Sequence, residues 1–562
     1  MPALESGTAS AQSLSLSQSS WTAHVPFVLL LAYCTYLFQS FLFSTDALTC
    51  PDGFFHARYA AMLPERGLSR EFPWLQFTTL KDNFWDNHFL YNILLTPFCL
   101  SASEPLVGAK IATVVFQIAL LTVFYVVLWR LRVPWPLLWV ALLAAGSAAF
   151  LMRILMVRSQ VLSVALMILS LYFIMRQRFW ICFALGFIYS WTYSAPLAVF
   201  CTALGAEVAQ LVLCGWRTTP PPDPSLKGRG VKFPRMTLAI ALGLIAGHLI
   251  HPYSPLTIDA LLAGLHVTRS AVTGSGSVEL GSEYRPMGLE EILYGAPGPA
   301  VALIVATAVA LWLRFKAPTG KALSIETAQA LGAASGWFLG LFLFRRVIEY
   351  AAPLTILACA LALRDTIGSR EQWRLHALTA ERRLNMLALG TVAGLALVAG
   401  HYWSWLLTKT QLRGTRAMFT SEEAWKHGRF YENAAAWMRK NIPAGTTIVN
   451  FYWDEFPELY YTAPEFYYVG GMDPTLMRIA HPEQSAALER MRIRLRPDGN
   501  ERADGPLDLA KLAELFGTDY MVLATWRALK YPELKRGLLP NAPPDAIRPV
   551  YADAGAAVYR LR

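Results

Sequence analysis

The sequence predicts a polytopic α-helical membrane protein of about eleven spans with a C-terminal extracytoplasmic α/β domain. Three observations predict it. Of the 562 residues, 55% are hydrophobic and only 16% are charged, against about 25% charged in soluble chains; the mean hydropathy is +0.36. Apolar stretches of bilayer length, roughly 17 to 25 residues, recur as far as about position 400. The basic residues between these stretches gather on one side of the span pattern, as the positive-inside rule requires of a multi-pass protein.

Residues 1–24 are Ser-rich and lack a basic start followed by a cleavage signal, so they read as a disordered cytoplasmic tail before a retained first span. Spans are predicted at 25–43, 105–129, 133–150, 160–175, 179–193, 196–214, 236–251, 297–313, 325–344, 347–363 and 385–406. Residues 89–100 either extend the second span or lie at the interface. Arg130 and Arg132, Arg176 and Arg178, the group Arg217 to Arg235, the group Arg314 to Lys321 and the group Arg364 to Arg383 all fall on one side. That side is cytoplasmic by the charge rule. The transmembrane domain is therefore 25–406, its long outer loops are 44–88 and 252–296, and the domain 407–562 shares the outer side. The net charge of +10 is explained by orientation, so no nucleic-acid partner is expected. Seven cysteines, Cys34, Cys50, Cys99, Cys182, Cys201, Cys214 and Cys359, lie mostly in or beside spans and form neither a disulfide framework nor metal-type spacing.

The outer domain carries both periodicities of an α/β fold. YENAAAWMRKNI is an amphipathic helix stopped by Pro443 and Gly445. TTIVNFYW and TDYMVLAT read as strands, and IRPVYADAGAAVYRL as a hairpin around Asp553 and Gly555. No Gly-rich phosphate motif follows a strand, which leaves a nucleotide-binding reading without support.

Candidate chemistry lies on the outer side. CPDGFFHARYA holds Asp52, His56 and Arg58, and FWDNHFLYN holds Asp86 and His88. Carboxylate oxygens suit Mg²⁺ or Mn²⁺, and imidazole tolerates Mn²⁺; the plain alternative is a solvated, charged loop. GSGSVELGSEYRPMG holds Glu279, Glu283 and Arg285 in a Gly/Ser-rich stretch, which is either a surface loop or one that closes over a substrate. Arg153, Arg158, Arg345 and Arg346 run against the charge rule at the outer ends of spans, where a guanidinium needs an anion. That anion is a phosphate or an internal carboxylate such as Glu349. Glu207 and His248 lie inside spans, and each reads as a satisfied interhelical hydrogen bond. NFYWDEFPELYY places aromatic rings around Asp454, Glu455 and Glu458, a sugar or peptide surface or else the edge of a core.

These segments, in this order, resemble the GT-C fold of membrane glycosyltransferases, and within it the catalytic subunit of oligosaccharyltransferase with its archaeal and bacterial relatives. PDGFFHARYA resembles the first-loop motif whose aspartate binds the metal and contacts the acceptor, which implies that role for Asp52. GSEYRP resembles the SVSEHQP-type motif of the mobile loop and implies a catalytic role for Glu283. RRVIEYAAP resembles the segment that faces the donor phosphate and points to Arg345 or Arg346, with Arg158 as a further phosphate ligand. AAAWMRKNIPAGTTIVNFYWDEF resembles the opening of the soluble domain and puts Trp453 and Asp454 on the acceptor-recognition motif. Two departures stand out. LMRILMVRSQ carries arginines where the family has a second acidic motif, and YWDEF lacks the glycine of WWDYG. Either Asp86 and His88 join Asp52 as replacement ligands for a divalent cation, or no metal is held as in the family.

The resemblance implies a glycosyltransferase that moves a sugar from a polyprenyl phosphate or pyrophosphate to a protein, lipid or glycan acceptor at the outer face of the cell's inner (plasma) membrane. Two alternatives stay open: an oligosaccharyltransferase that moves a whole glycan to Asn, and a flippase or transporter of lipid-linked sugar. A transporter would gather its charges at midplane in related halves; here they gather at the outer ends of spans.

Overall fold

The computed structural model describes residues 24–43, 46, 48, 50–214, 234–273, 282–315, 323–368, 429–495, 500–544 and 546–562. The predicted tail to residue 23, the predicted span 385–406, the domain start at 407 and Glu279 lie outside them. So do the basic residues at 215–233, 316–322 and 369–384.

Ten of the predicted spans fall among the described residues, and each is helical. The helices are α1 (Val25–Leu42), α2 (Asp52–Arg66), α3 (Phe89–Ser101), α4 (Pro105–Arg130), α5 (Pro136–Ala145), α6 (Ala148–Ile154), α7 (Gln160–Met175), α8 (Phe179–Thr192), α9 (Leu197–Cys214), α10 (Arg235–Ile250), α11 (Leu256–Thr273), α12 (Leu289–Gly295), α13 (Pro297–Phe315), α14 (Ile325–Gly340) and α15 (Ile348–Ile367). Four are long and apolar enough to cross a membrane: α1, α4, α13 and α15, the last together with the 3₁₀ turn at Arg345. The bent pair α5–α6 makes a fifth, while α3, α7, α8, α9 and α10 are apolar but shorter. Length and composition thus support four or five spans among the described residues, against the eleven predicted for the whole chain. The apolar side chains of α1 that face outward, Val28, Leu29, Tyr33 and Tyr36, are exposed, as lipid contact demands. At the other extreme every residue from Ile348 to Ala362 of α15 is buried. That helix is the axis around which α6, α13 and α14 pack.

Two predicted spans are altered in ways that matter for the site. The stretch 133–150 is not one helix. It turns by 85° between α5 and α6 because Ser147 is extended (φ −152°) and its hydroxyl accepts from the Phe150 N–H, starting a new helix. The bend carries Arg153 inward. The stretch 325–344 is helical only to Gly340. A turn then leads to the 3₁₀ segment Arg345–Val347 and α15. Backbone hydrogen bonds from Met287 N to Leu341 O and from Arg345 N to Arg285 O, each 2.8 Å, tie this turn to residues 285–287 of the second long loop.

The C-terminal region contains a five-stranded sheet. Its strands are β1 (Thr447–Asn450), β2 (Tyr467–Tyr468), β5 (Tyr520–Ala524), β6 (Tyr551–Ala552) and β7 (Ala556–Arg560), in the order β2-β1-β5-β7-β6. β2, β1 and β5 run parallel, while β7 is antiparallel to β5 and β6. A separate short ladder joins β3 (Arg494–Leu495) to β4 (Glu501–Arg502). The helix α16 (Glu432–Asn441), both predicted strands and the hairpin about Asp553 lie where the sequence places them. Alternation along the strands sorts side chains to two cores. Ile448, Val522 and Val558 face one cluster, and Val449, Met521, Leu523 and Tyr559 face the other.

The first of those clusters is shared with the first long loop. Phe55 and Tyr59 of α2, with Phe72, Leu75, Phe84 and Phe89, pack against Tyr460, Tyr468 and Val558. The loop also adds to the sheet edge. Tyr468 N donates to Trp74 O and Gln76 N to Tyr468 O, each 2.8 Å, so Leu75 forms a parallel bridge beside β2. α17 (Phe456–Thr462) completes the seam against α2, with Tyr461 beside Phe54 and Tyr460 beside Phe55. Arg429 and the Tyr461 hydroxyl both reach Glu104, each at 2.7 Å.

Inside this seam Glu458 is buried and accepts from the Tyr431 N–H at 3.1 Å. Burial pushes its carboxyl up to about 8, past the opposing backbone hydrogen bonds. The folded chain therefore keeps a proton that the unfolded chain has released above about pH 4.5. Stability from this group falls as pH rises through about 4.5 to 8. Glu458→Gln is expected to flatten that part of the pH dependence, read as the unfolding midpoint of the full chain in detergent between pH 5 and pH 9; an unchanged slope would refute the assignment.

Candidate active site

Six segments deliver charge to one place. Asp52 opens α2, where the first-turn amides favour a carboxylate. Arg153 closes α6, and Arg158 lies in the turn between α6 and α7. Glu283 sits in a 3₁₀ turn, Ser282–Tyr284. Arg346 lies in the 3₁₀ turn before α15, and Glu349 in that helix's first turn. Tyr193 caps α8.

Three guanidinium groups converge on Glu283. Arg153 Nη1 is 2.8 Å from Oε2, Arg158 Nη1 3.4 Å from the same oxygen, and Arg346 Nη1 3.4 Å from Oε1. Arg158 also pairs through Nη2 with Asp52 Oδ2 at 3.0 Å. Arg153 donates from Nε and Nη2 to Glu349 Oε2 at 3.1 and 2.8 Å. Tyr193 donates to Glu349 Oε1 at 2.7 Å and accepts from Arg346 Nη2 at 2.9 Å. Arg346 Nη1 further donates to the Tyr284 hydroxyl at 2.9 Å. Three carboxylates thus face three guanidinium groups. Burial alone would raise the Glu283 carboxyl, but Arg346, Arg158 and Arg153 together hold it well below the usual carboxylate range. Glu349 is fully enclosed, while the Asp52 side chain keeps 28% of its surface open and Glu283 23%. The cluster has an enclosed floor and an accessible rim.

A second layer holds the turn that carries Arg158. His88 Nδ1 meets Ser159 Oγ at 2.7 Å, and the Thr192 backbone hydrogen-bonds the same ring. Burial keeps this imidazole neutral. His56 Nδ1 donates to Asn92 Oδ1 at 2.9 Å, and Asn92 Nδ2 donates to Asp86 Oδ2 at 2.8 Å. Asp86 Oδ1 accepts the His88 N–H at 2.8 Å. Burial raises Asp86 to about 6 and lowers His56 to about 4. Gly53 lets the Arg158 turn lie against α2, since a Cβ there would sit 2.9 Å from Val157 Cβ.

Asp52, Glu283, Arg158 and Arg346 are therefore brought together as the sequence expects, and Arg345 is not. Its guanidinium lies on the rim, 2.8 Å from Glu291, with both side chains well exposed. Trp453 and Asp454 lie elsewhere. They form a 3₁₀ turn at the start of α17, whose other end meets α2 beside Asp52. Asp454 is held by both Nη atoms of Arg527 at 2.8 and 2.7 Å. Asp52, Asp86 and His88 do not form a ligand set: Asp52 faces Arg158, and the two Asp86 oxygens accept from the His88 N–H and from Asn92 of α3. Among the described residues no three His, Cys, Asp or Glu side chains are grouped to hold a metal ion. The donor set among the described residues does not fit a divalent cation.

The intramembrane pair divides. Glu207 is satisfied as expected, accepting from Met236 N, Thr237 N and Thr237 Oγ1 at the start of α10. His248 is not. Both its ring nitrogens are buried without a hydrogen bond. Sequence reasoning named Glu349 only as an ion-pair partner and missed Tyr193, Tyr284, Ser159 and Asn92. Tyr284 stands beside Glu283 in GSEYRP, Ser159 beside Arg158 in LMRILMVRSQ and Asn92 at the end of FWDNHFLYN, whereas no such neighbour points to Tyr193.

No family model matches the chain, and no curated protein matches by sequence. Solved structures do. The apo oligosaccharyltransferase of Archaeoglobus fulgidus aligns with a TM-score of 0.58 and 12% identity over 92% of this chain and 73% of its own. The oligosaccharyltransferase AglB of the same organism, in complex with an inhibitory peptide and a dolichol-phosphate, aligns with a TM-score of 0.54 and 12% identity over 94% and 76%. The arabinofuranosyltransferase AftD from Mycobacteria gives 0.44 and 14% over 95% and 40%. The fold of this chain is the GT-C fold.

Breaking a buried ion pair leaves a charge stranded and costs about 3–5 kcal/mol, whereas an exposed pair is worth about 0–1 kcal/mol. Glu349→Ala is expected to lower the unfolding midpoint of the full chain in detergent by several degrees, and Glu291→Ala to leave it nearly unchanged. Equal shifts would contradict the burial difference.

Proposed function

We propose that this protein is a glycosyltransferase of the membrane's outer face that moves a sugar from a polyprenyl phosphate or pyrophosphate to an acceptor. The observation that carries the reading is the convergence of Arg158 and Arg346 beside an accessible Asp52 within a GT-C fold. In this reading the N-terminus is cytoplasmic, and the sheet region and both long loops lie outside. The donor's lipid tail lies between helices and its phosphate meets Arg158 and Arg346; Arg345 contributes from the rim.

The chemistry follows from those positions. The bond between the anomeric carbon and the phosphate oxygen breaks, and its electron pair stays on the departing phosphate. The acceptor's heteroatom forms the new bond to the anomeric carbon, and its proton passes to Asp52. Fixed guanidinium groups offset the charge that develops on the phosphate, and preorganised electrostatics of this kind is usually the largest catalytic contribution. Glu283 closes over the centre with its loop. Trp453 and Asp454 are proposed to touch the acceptor chain beyond the reacting atom. The complex of AglB with a peptide and a dolichol-phosphate supports a lipid-phosphate donor and a protein acceptor, so transfer of a whole glycan to Asn is the second reading.

The test compares a deletion strain carrying the wild-type gene with one carrying Asp52→Ala, by mass spectrometry of polyprenyl-linked sugars and envelope glycans. A loss of about 10²–10⁴-fold in turnover is expected for a missing general base. One lipid-linked sugar should accumulate and one glycan disappear. Matching inventories would remove Asp52 from the chemistry and favour a transport role.

A further inference from the structure

We propose that Arg158 is the fixed cation of this reaction centre, occupying the place between Asp52 and Glu283 that a divalent metal ion would take, so that sugar transfer proceeds without a metal. The inference rests on the transferase reading above.

The geometry is that of a bridging cation. One guanidinium spans two carboxylates, with Nη2 at 3.0 Å from Asp52 Oδ2 and Nη1 at 3.4 Å from Glu283 Oε2. These are the two acidic groups with open surface in the cluster. An arginine in this position keeps its charge throughout the accessible pH range, so a metal ion cannot displace it by taking advantage of deprotonation, as it can with lysine or histidine. A divalent ion approaching Glu283 would also meet Arg153 at 2.8 Å and Arg346 at 3.4 Å on the same carboxylate. Like charges at such separations repel strongly where water is scarce.

The cation is also built in. The turn that carries it packs on α2 at Gly53, where any side chain would collide with Val157. His88 anchors the next residue, Ser159, at 2.7 Å. His88, which together with Asp86 was a candidate metal ligand, thus serves to position Arg158. As the anomeric C–O bond breaks and its electrons move to the donor phosphate, Arg158 and Arg346 supply the positive charge that a metal would supply.

Three measurements test this. Purified full-length protein in detergent is titrated with Mn²⁺ alone, followed by electron paramagnetic resonance of free Mn²⁺. No saturable site is expected below about 1 mM. A micromolar site that disappears in Asp52→Asn would overturn the proposal. Membranes from the wild-type strain are then treated with EDTA, and consumption of the lipid-linked sugar identified by the inventory is followed. Turnover should stay within about twofold of untreated membranes; loss under EDTA that Mn²⁺ restores would overturn the proposal as well. Arg158→Gln should lower turnover by about 100-fold, and Arg158→Lys, which restores the charge without the fork, should recover part of it. Full activity in a folded Arg158→Gln variant would count against the role. If no lipid-linked sugar depends on the gene, the transferase reading fails, while the Mn²⁺ titration still decides whether the centre holds a metal.

Discussion

Charge brought to the level of a membrane has to be neutralised locally, and the pair of Arg153 with the fully enclosed Glu349 is where this chain meets that requirement. The guanidinium makes two hydrogen bonds to one Glu349 oxygen and extends a third to Glu283. It therefore joins the break after α5, the central helix α15 and the 282–284 turn in one electrostatic unit. Neither partner is stable there alone, because a stranded buried ion costs several kcal/mol. The bend at Ser147, the interruption after Gly340 and the 3₁₀ turn at Arg345 are the backbone adjustments that let these groups meet.

A second constraint fixes the site from above. Residues 74–77 run along the edge of β2, and Phe55, Tyr59, Phe72 and Phe84 belong to the same core as the sheet. The loop that begins with Asp52 is thus not a free connection between helices; one side of it is part of the sheet region's interior. An edge strand that would otherwise be open to pairing is covered by the same contact. At the end of this loop Asp86 and His88 start α3, and His88 holds the turn that carries Arg158. The polar groups of the loop thereby act mostly as supports, and the accessible chemistry narrows to Asp52, Glu283 and the arginines around them.

The elements were largely readable from periodicity. The ten predicted spans that fall among the described residues are all helical, two of them interrupted, and the alternation of TTIVNFYW and TDYMVLAT located two strands, because both signals are local consequences of burying one face of a helix or a sheet. The candidate site was readable to the extent that its residues break a local rule. Arg153, Arg158, Arg345 and Arg346 stood out by lying on the side that the charge rule leaves poor in basic residues, and Asp52 and Glu283 by their motifs. Arg345 carries the same signal as Arg346 and has a different fate: neighbours in sequence, they point to Glu291 and to Glu283, and only backbone geometry separates them. The same holds for Asp86 and His88, whose composition suggests a ligand pair and whose burial makes them a hydrogen-bonded support.

By itself the sequence determined the class of molecule, the positions of its helices and strands, and a short set of charges that break the charge rule. These depend on hydrophobic pattern and charge sign, which act over a few residues. Which charges meet was decided only by the tertiary structure. The pairings of Arg158 with Asp52, of Arg153 with Glu349 and of Arg527 with Asp454 join residues 106, 196 and 73 positions apart. No local signal records the distance at which two side chains stop after the chain has packed. In a low-dielectric interior that distance sets whether a carboxylate is a metal ligand, a base or the partner of an arginine.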